Sequence, residues 1–317
     1  GQITKENFIW WLTGFYYVRL LIMMIYSFYL YLPKFYFFIP KNIGEILTYS
    51  LFIFLAGSAA SILIDIDKFM IPQKEVISQT AFYAVAVFIA TVVEIPGRAM
   101  FQIVNPLVAK ALNENDFKGL ETLYKKSSLN LIIVSGLFFL LINLNVNPFY
   151  NLILDSSYST AVLVVLIISV SKLILMSFGC GPAILATAKF YKITLPFSLL
   201  MAVSVYFLND KLIDLYSING AALSTLIVIF VFTFLKIIYL KYKLKIQPYS
   251  SSTLKVFILI TILFFITDSV DFNHNYLVEI IVKSVSVSAV YIILIYAMGI
   301  SNEINSVIKK ILSKFSF

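Results

Sequence analysis

The sequence predicts an all-α, polytopic membrane protein with about nine transmembrane helices. Three observations carry that prediction. The 317 residues are 61% hydrophobic and only 13% charged, with a mean hydropathy of +0.94, whereas a soluble domain is about half apolar and about a quarter charged. The apolar residues come in continuous runs near the ~20 residues a spanning helix needs, not in the alternating ten-residue segments of a membrane barrel. Lysines gather in alternate gaps between those runs, as membrane topology places them. Disorder is excluded, because disordered chains are poor in apolar residues. The formal net charge of +8 therefore reflects topology, and no nucleic-acid partner is expected.

The first run, Phe8–Tyr31, holds Trp10, Trp11 and several tyrosines, which suit interfacial belts. Glu45–Ile64 follows and is closed by Asp65, Asp67 and Lys68. Ala81–Val104 contains Pro96, which frees the Val92 carbonyl and predicts a kink. Asn105–Lys126 mixes lysines with apolar residues around an Asn113-Glu114-Asn115-Asp116 turn, reading as a cytoplasmic helix-loop-helix. Leu129–Val146 is the fourth span and Ser159–Thr187 the fifth. Gly179, Gly181 and Pro182 interrupt the fifth, and close helix packing through small residues is the preferred reading there. Ile193–Leu208, Ile218–Leu240, Thr253–Thr267 and Tyr276–Met298 complete the set, the sixth and eighth being short. In Ile300–Phe317, Ile304, Ile308, Ile311 and Phe315 share one helical face, with Lys309, Lys310 and Lys314 elsewhere. That segment is either a basic amphipathic helix on an anionic membrane surface or a solvated tail.

The basic gaps hold Lys34 and Lys41; Lys110, Lys118, Lys125 and Lys126; Lys189 and Lys192; and Lys241, Lys243 and Lys245. The tail adds Lys309, Lys310 and Lys314. Reading the basic side as the cytoplasm predicts a multi-pass membrane protein with a cytoplasmic C-terminus. Nine helices then start outside, which implies an odd number of helices ahead of Gly1.

Ionisable residues within spans are costly and face protein or water-filled cavities. Arg19 lies mid-way along the first run, Glu94 and Arg98 share a face around Pro96, and Lys172 lies mid-span in the fifth run. Arg19, Arg98 and Lys172 together describe a cationic interior suited to phosphate, which guanidinium groups bind through a planar fork. The competing reading is structural: Glu94 and Arg98 neutralise each other, and Lys172 snorkels or meets a carboxylate elsewhere. Glu94 and Asp65 are the candidate coupling or charge-pair carboxylates. Asp65 stands equally as an interfacial, solvated residue. Lys283 reads as structural, and His274, in an outer loop, as solvated. A single cysteine, Cys180, and a single histidine leave no Cys-based metal site, and count against a His-based zinc site or Ser-His-Asp triad. No metal, cofactor or catalytic residue is expected.

The stretch Ile64-Asp65-Ile66-Asp67-Lys68-Phe69-Met70-Ile71, followed by Ala81-Phe82-Tyr83-Ala84-Val85-Ala86, resembles the middle of polysaccharide flippases of the multidrug/oligosaccharidyl-lipid/polysaccharide (MOP) exporter superfamily. Glu94-Ile95-Pro96-Gly97-Arg98-Ala99, Asn105-Pro106-Leu107-Val108-Ala109-Lys110, Leu123-Tyr124-Lys125-Lys126-Ser127-Ser128 and Gly181-Pro182-Ala183-Ile184-Leu185-Ala186-Thr187-Ala188-Lys189 continue the likeness. It points to Wzx-type flippases of O-antigen, lipopolysaccharide or capsule precursors. The resemblance implies helices six to fourteen of a fourteen-helix fold. Residues 1–43 would be the last helix of the N-terminal lobe with its linker, 44–246 a six-helix C-terminal lobe, 247–298 an extra helix pair and 299–317 a cytoplasmic tail. It further implies movement of undecaprenyl-pyrophosphate-linked oligosaccharide by alternating access, with the diphosphate at Arg19, Arg98 and Lys172. Membrane lipids and polysaccharide-assembly proteins would be its partners. The alternatives are a small-molecule antiporter of the same superfamily, which would need an anionic cavity, an envelope-polysaccharide glycosyltransferase, which would need a carboxylate- or His-bearing extramembrane loop, and a structural membrane scaffold.

Overall fold

The computed structural model describes residues 5–32, 39–154, 156–187, 190–269 and 275–315. His274, Lys34 and Lys189 lie outside these residues, as do the side chains of Ile311, Lys314 and Phe315. The described chain is helical, without strands. Seven of its helical segments are long and apolar enough to cross a membrane. These segments are compatible with a polytopic membrane protein.

Two compact units are present, Gly1–Leu47 and Thr48–Phe317. The first contains α1 (Lys5–Tyr31), whose side chains from Asn7 onward are exposed except for a partly covered Thr13. The boundary falls within the first turns of α2 (Ile43–Lys74). Asp65 and Asp67 do not close this helix. It continues to Lys74, because Met70 and Ile71 are core residues, 6% and 0% exposed, and the chain stays helical to bury them.

The second unit is built around α5 (Phe117–Ile153), which packs against α4 (Ile95–Asn113), α6 (Val162–Ser177), α9 (Ser251–Asp268) and α10 (Tyr276–Ala297). The predicted third span is two helices. α3 (Ile77–Ala90) ends in a 3-10 turn, Thr91–Glu94, and α4 begins at Ile95. Pro96 lies in the first turn of α4, where its missing donor costs nothing. The Val92 carbonyl is not left free; it accepts the Ile95 N–H. The expected kink is therefore a break placed just before the proline.

Past the membrane-length part, α4 and α5 meet in the expected turn. Asn115 takes a positive φ of 55°, and Asp116 caps α5 by accepting the Gly119 N–H at 2.9 Å, satisfying an otherwise orphan donor. The predicted fifth span is a 3-10 segment (Ser156–Ala161), α6, and a short α7 (Gly181–Ala186). At the break, Gly179 has φ +56° and sits so close to α5 that a Cβ would stand 2.7 Å from the Ser128 nitrogen. The Cys180 N–H donates to Ser127 Oγ at 3.0 Å across the same contact.

The predicted sixth and seventh spans are the two arms of α8 (Tyr191–Leu244), which reverses at Ser217 (φ 52°, ψ −135°). The arms run antiparallel: Met201 and Val205 pack with Val228 and Phe232, and Phe197 stacks edge-on with Phe232 and Tyr239. Gly220 sits where a Cβ would lie 1.8 Å from the Leu212 carbonyl oxygen, so the reversal requires glycine there. α9 opens with a capping box between Ser250 and Thr253. α9 and α10 pack on α5 through Val256, Ile260, Val287 and Tyr291. α11 (Asn302–Phe315) follows, helical as the apolar stripe of the tail predicts.

Candidate functional site

Polar groups inside the second unit gather where α2, α3, the 3-10 turn, α6 and α8 approach one another. Glu94, the last residue of the 3-10 turn, holds two cations. Its Oε2 stands 2.9 Å from Lys172 Nζ on α6, and its Oε1 stands 3.4 Å from Arg98 Nη2 one turn into α4. Glu94 and Lys172 are largely covered, with side chains 18% and 13% exposed, whereas Arg98 is 71% exposed. Ending α3 at Ala90 and restarting at Ile95 is what turns Glu94 toward α6.

Asp67 on α2 forms the second centre. It is 2% exposed and accepts hydrogen bonds from Asn209 Nδ2 at 2.6 Å, from Thr225 Oγ1 at 2.9 Å and from the Tyr83 hydroxyl. Asn209 and Thr225 belong to opposite arms of α8, so the reversal at Ser217 is what brings both to one carboxylate. A carboxylate buried among apolar helices is tolerated only with such donors. A small cavity of ≈ 40 Å³ joins the two centres, lined by Asp67, Tyr83, Lys172 and Thr225 with Val87, Ile168 and Ile229. Lys172 therefore faces Glu94 on one side and shares a cavity wall with Asp67 on the other.

Arg98 and Lys172 thus meet at Glu94, and Asp67 places a second carboxyl group on the cavity that Lys172 lines. Arg19 lies on α1 in the first unit, where it is exposed. Asp65 is outside the cluster: its side chain is 66% exposed and pairs with Lys68 at 2.8 Å. Two residues along a helix point to opposite sides, so Asp65 faces out where Asp67 faces in. Burial along the helix follows the same division. Asp67 shares its face with Met70 and Ile71, while Asp65 shares its face with Lys68 and Phe69, and Phe69 is 73% exposed.

Two further charge groups lie elsewhere. Lys74 at the end of α2 bridges to Asp210 (2.8 Å) and Asp214 (2.9 Å) on the first arm of α8; no pattern in the sequence pairs these residues. Lys283, read as structural, pairs with Glu279 one turn earlier at 2.6 Å. Chemically, the central cluster can hold charge and exchange ion-pair partners within an apolar helical bundle. No protein-family model matches this sequence, and neither the curated proteins nor the solved structures contain a match.

Proposed function

We propose that this chain is part of a flippase that moves a lipid-linked oligosaccharide, carried on undecaprenyl pyrophosphate, across the cytoplasmic membrane by alternating access. It is a transporter, not an enzyme. The resemblance of the Asp65–Ile71, Glu94–Ala99 and Gly181–Lys189 stretches to Wzx-type flippases motivates the reading. The observation that carries it is the convergence of Arg98 and Lys172, from two helices, on Glu94 within apolar spans. Cations held by one weakly shared carboxylate can be released to a diphosphate, whose oxygens suit guanidinium and ammonium donors. In this reading the spans number nine: the seven apolar segments, with α8 counted as two arms and the start of α2 added. The lysine-rich gaps and the C-terminus are cytoplasmic.

Asp67 favours a second reading, a small-molecule antiporter of the same superfamily. Its carboxyl group, buried in the cavity that Lys172 also lines, adds a second acidic side chain beside Glu94 to an interior with two cations. One experiment separates the two. The full-length gene product is expressed in a flippase-null strain carrying the cognate sugar-assembly genes, beside Arg98→Ala and Lys172→Ala variants inserted at equal levels. Return of surface polysaccharide with the wild type and its loss with either variant supports the flippase. Accumulation of lipid-linked precursor despite normal insertion rejects it and leaves the antiporter.

A further inference from the structure

The cavity between the two polar centres has walls of opposite hydrogen-bonding character. One wall carries the Lys172 ammonium. Such a group has three N–H donors, and Glu94 Oε2 takes one of them at 2.9 Å. The other two have no acceptor among the described residues, and the side chain is only 13% exposed. The other wall carries acceptors. The Tyr83 hydroxyl and Thr225 Oγ1 both donate their protons to Asp67, so each oxygen keeps lone pairs for accepting. Asp67 has about four lone-pair positions, of which Tyr83, Asn209 and Thr225 occupy three. Val87, Ile168 and Ile229 complete the lining. Donors in want of acceptors thus face acceptors in want of donors, inside an apolar bundle where an unmet polar group is costly.

Size and charge together select the occupant. The cavity measures ≈ 40 Å³, and one water needs about 10–15 Å³, so about two or three waters fit. An organic ligand does not. A metal cation would be repelled by the ammonium, which already supplies the positive charge beside Asp67. What remains is a small neutral ligand that accepts from an ammonium and donates to a carboxylate and to hydroxyl oxygens. Water meets that description, and buried waters are held where they find two to four polar partners.

We propose that this cavity is a buried-water site whose waters join Lys172 to Asp67. They turn two separate centres into one hydrogen-bonded network that runs from Arg98 through Glu94 and Lys172 to Asp67 and Asn209. A change at Glu94 is then felt at the α8 arms, through Asn209 and Thr225. The site does not depend on what the protein transports.

The test uses the full chain in nanodiscs and two readouts. The first is X-ray hydroxyl-radical footprinting, which oxidises side chains beside ordered water. Tyr83 is 1% exposed and Phe178 2%, but Phe178 packs in an apolar core and does not line the cavity. Tyr83 should be oxidised well above Phe178, and should fall to its level in Val87→Phe, whose ring fills the cavity. The second readout is the coupling between Lys172→Met and Asp67→Asn in the unfolding constant. It should be about fivefold, the scale for residues of one network, and should vanish in the Val87→Phe background. Oxidation of Tyr83 no faster than that of Phe178 overturns the water site. Absence of coupling in the unfilled protein overturns the link between the centres. Coupling that survives filling shows a direct charge effect in place of bridging water, and overturns the proposal equally. If Val87→Phe does not insert, Ile229→Phe fills the same cavity from the α8 wall.

Discussion

Lys172 Nζ stands 2.9 Å from Glu94 Oε2 while sharing a ≈ 40 Å³ cavity with Asp67. One lysine on α6 is thus placed between two carboxylates, one paired with it and one tied up by three neutral donors. Removing a partner from a buried ion pair leaves an uncompensated charge, at a cost near 3–5 kcal/mol when burial is complete. Here both side chains keep some exposure, so Glu94→Gln should lower stability by about 2–3 kcal/mol. Glu94→Gln/Lys172→Met should recover much of that loss. Thermal unfolding of the four members of the cycle in nanodiscs checks this, and additive losses would show that the two side chains are not coupled.

Arg98 behaves differently because it is mostly exposed. Exposed ion pairs contribute about 0–1 kcal/mol, so Arg98→Ala should leave the melting temperature nearly unchanged. If its role is substrate contact, transport should fall in the same variant. A stability loss as large as that of Glu94→Gln would instead make Arg98 structural.

Asp67 accepts from Tyr83, Asn209 and Thr225, and their fates predict a graded series. Tyr83→Phe removes one donor and should cost about 1 kcal/mol. Asp67→Ala strands three buried donors and should cost about 3 kcal/mol or more. Asp67→Asn should fall between them, since an amide can still accept from Asn209 and donate to a rotated hydroxyl. Denaturation midpoints of the three variants give the order directly, and equal losses would sink this account of the network.

The α8 reversal gives a pair of opposite effects. Ser217 holds a positive φ that favours glycine, so Ser217→Gly should stabilise by about 1 kcal/mol. Gly220→Ala forces a Cβ against the backbone carbonyl of Leu212, which cannot rotate away, and should destabilise by about 3 kcal/mol. Cysteine cross-linking of residues 201 and 232 reports whether the two arms still pack.

Glu303, outside the membrane-spanning segments, is held below its ordinary carboxylate value of 4.5, first by its hydrogen bond with Lys126. A carboxyl depressed on folding stabilises the docked helix above that ordinary value. The contribution fades as pH falls through the lower, folded value. Protection of the α11 amides, measured against the intrinsic exchange rate at each pH, should therefore be full at pH 7 and fall only in acid, below the ordinary carboxylate range. Glu303→Gln should show one protection factor across that window.

Much of this molecule is present in its linear pattern. Continuous apolar runs demanded helices of spanning length, and the structure supplies them. The Asn113–Asp116 turn, the interruption at Gly179 and the helical tail were each legible, because a turn residue, a left-handed glycine and an amphipathic stripe act locally. The break before Pro96 was legible to within a few residues, since proline forbids a donor without dictating where the preceding helix ends. Glu94 with Arg98 could be paired from their spacing alone. Other features needed the third dimension. That Lys172 meets Glu94, that Asp67 rather than Asp65 points inward, and that Asn209 and Thr225 reach it from opposite arms of α8 all depend on which helices pack together. Contacts between residues 78, 142 or 158 positions apart leave no periodic trace in a single sequence. Buried polar groups find partners only once the apolar faces have chosen theirs.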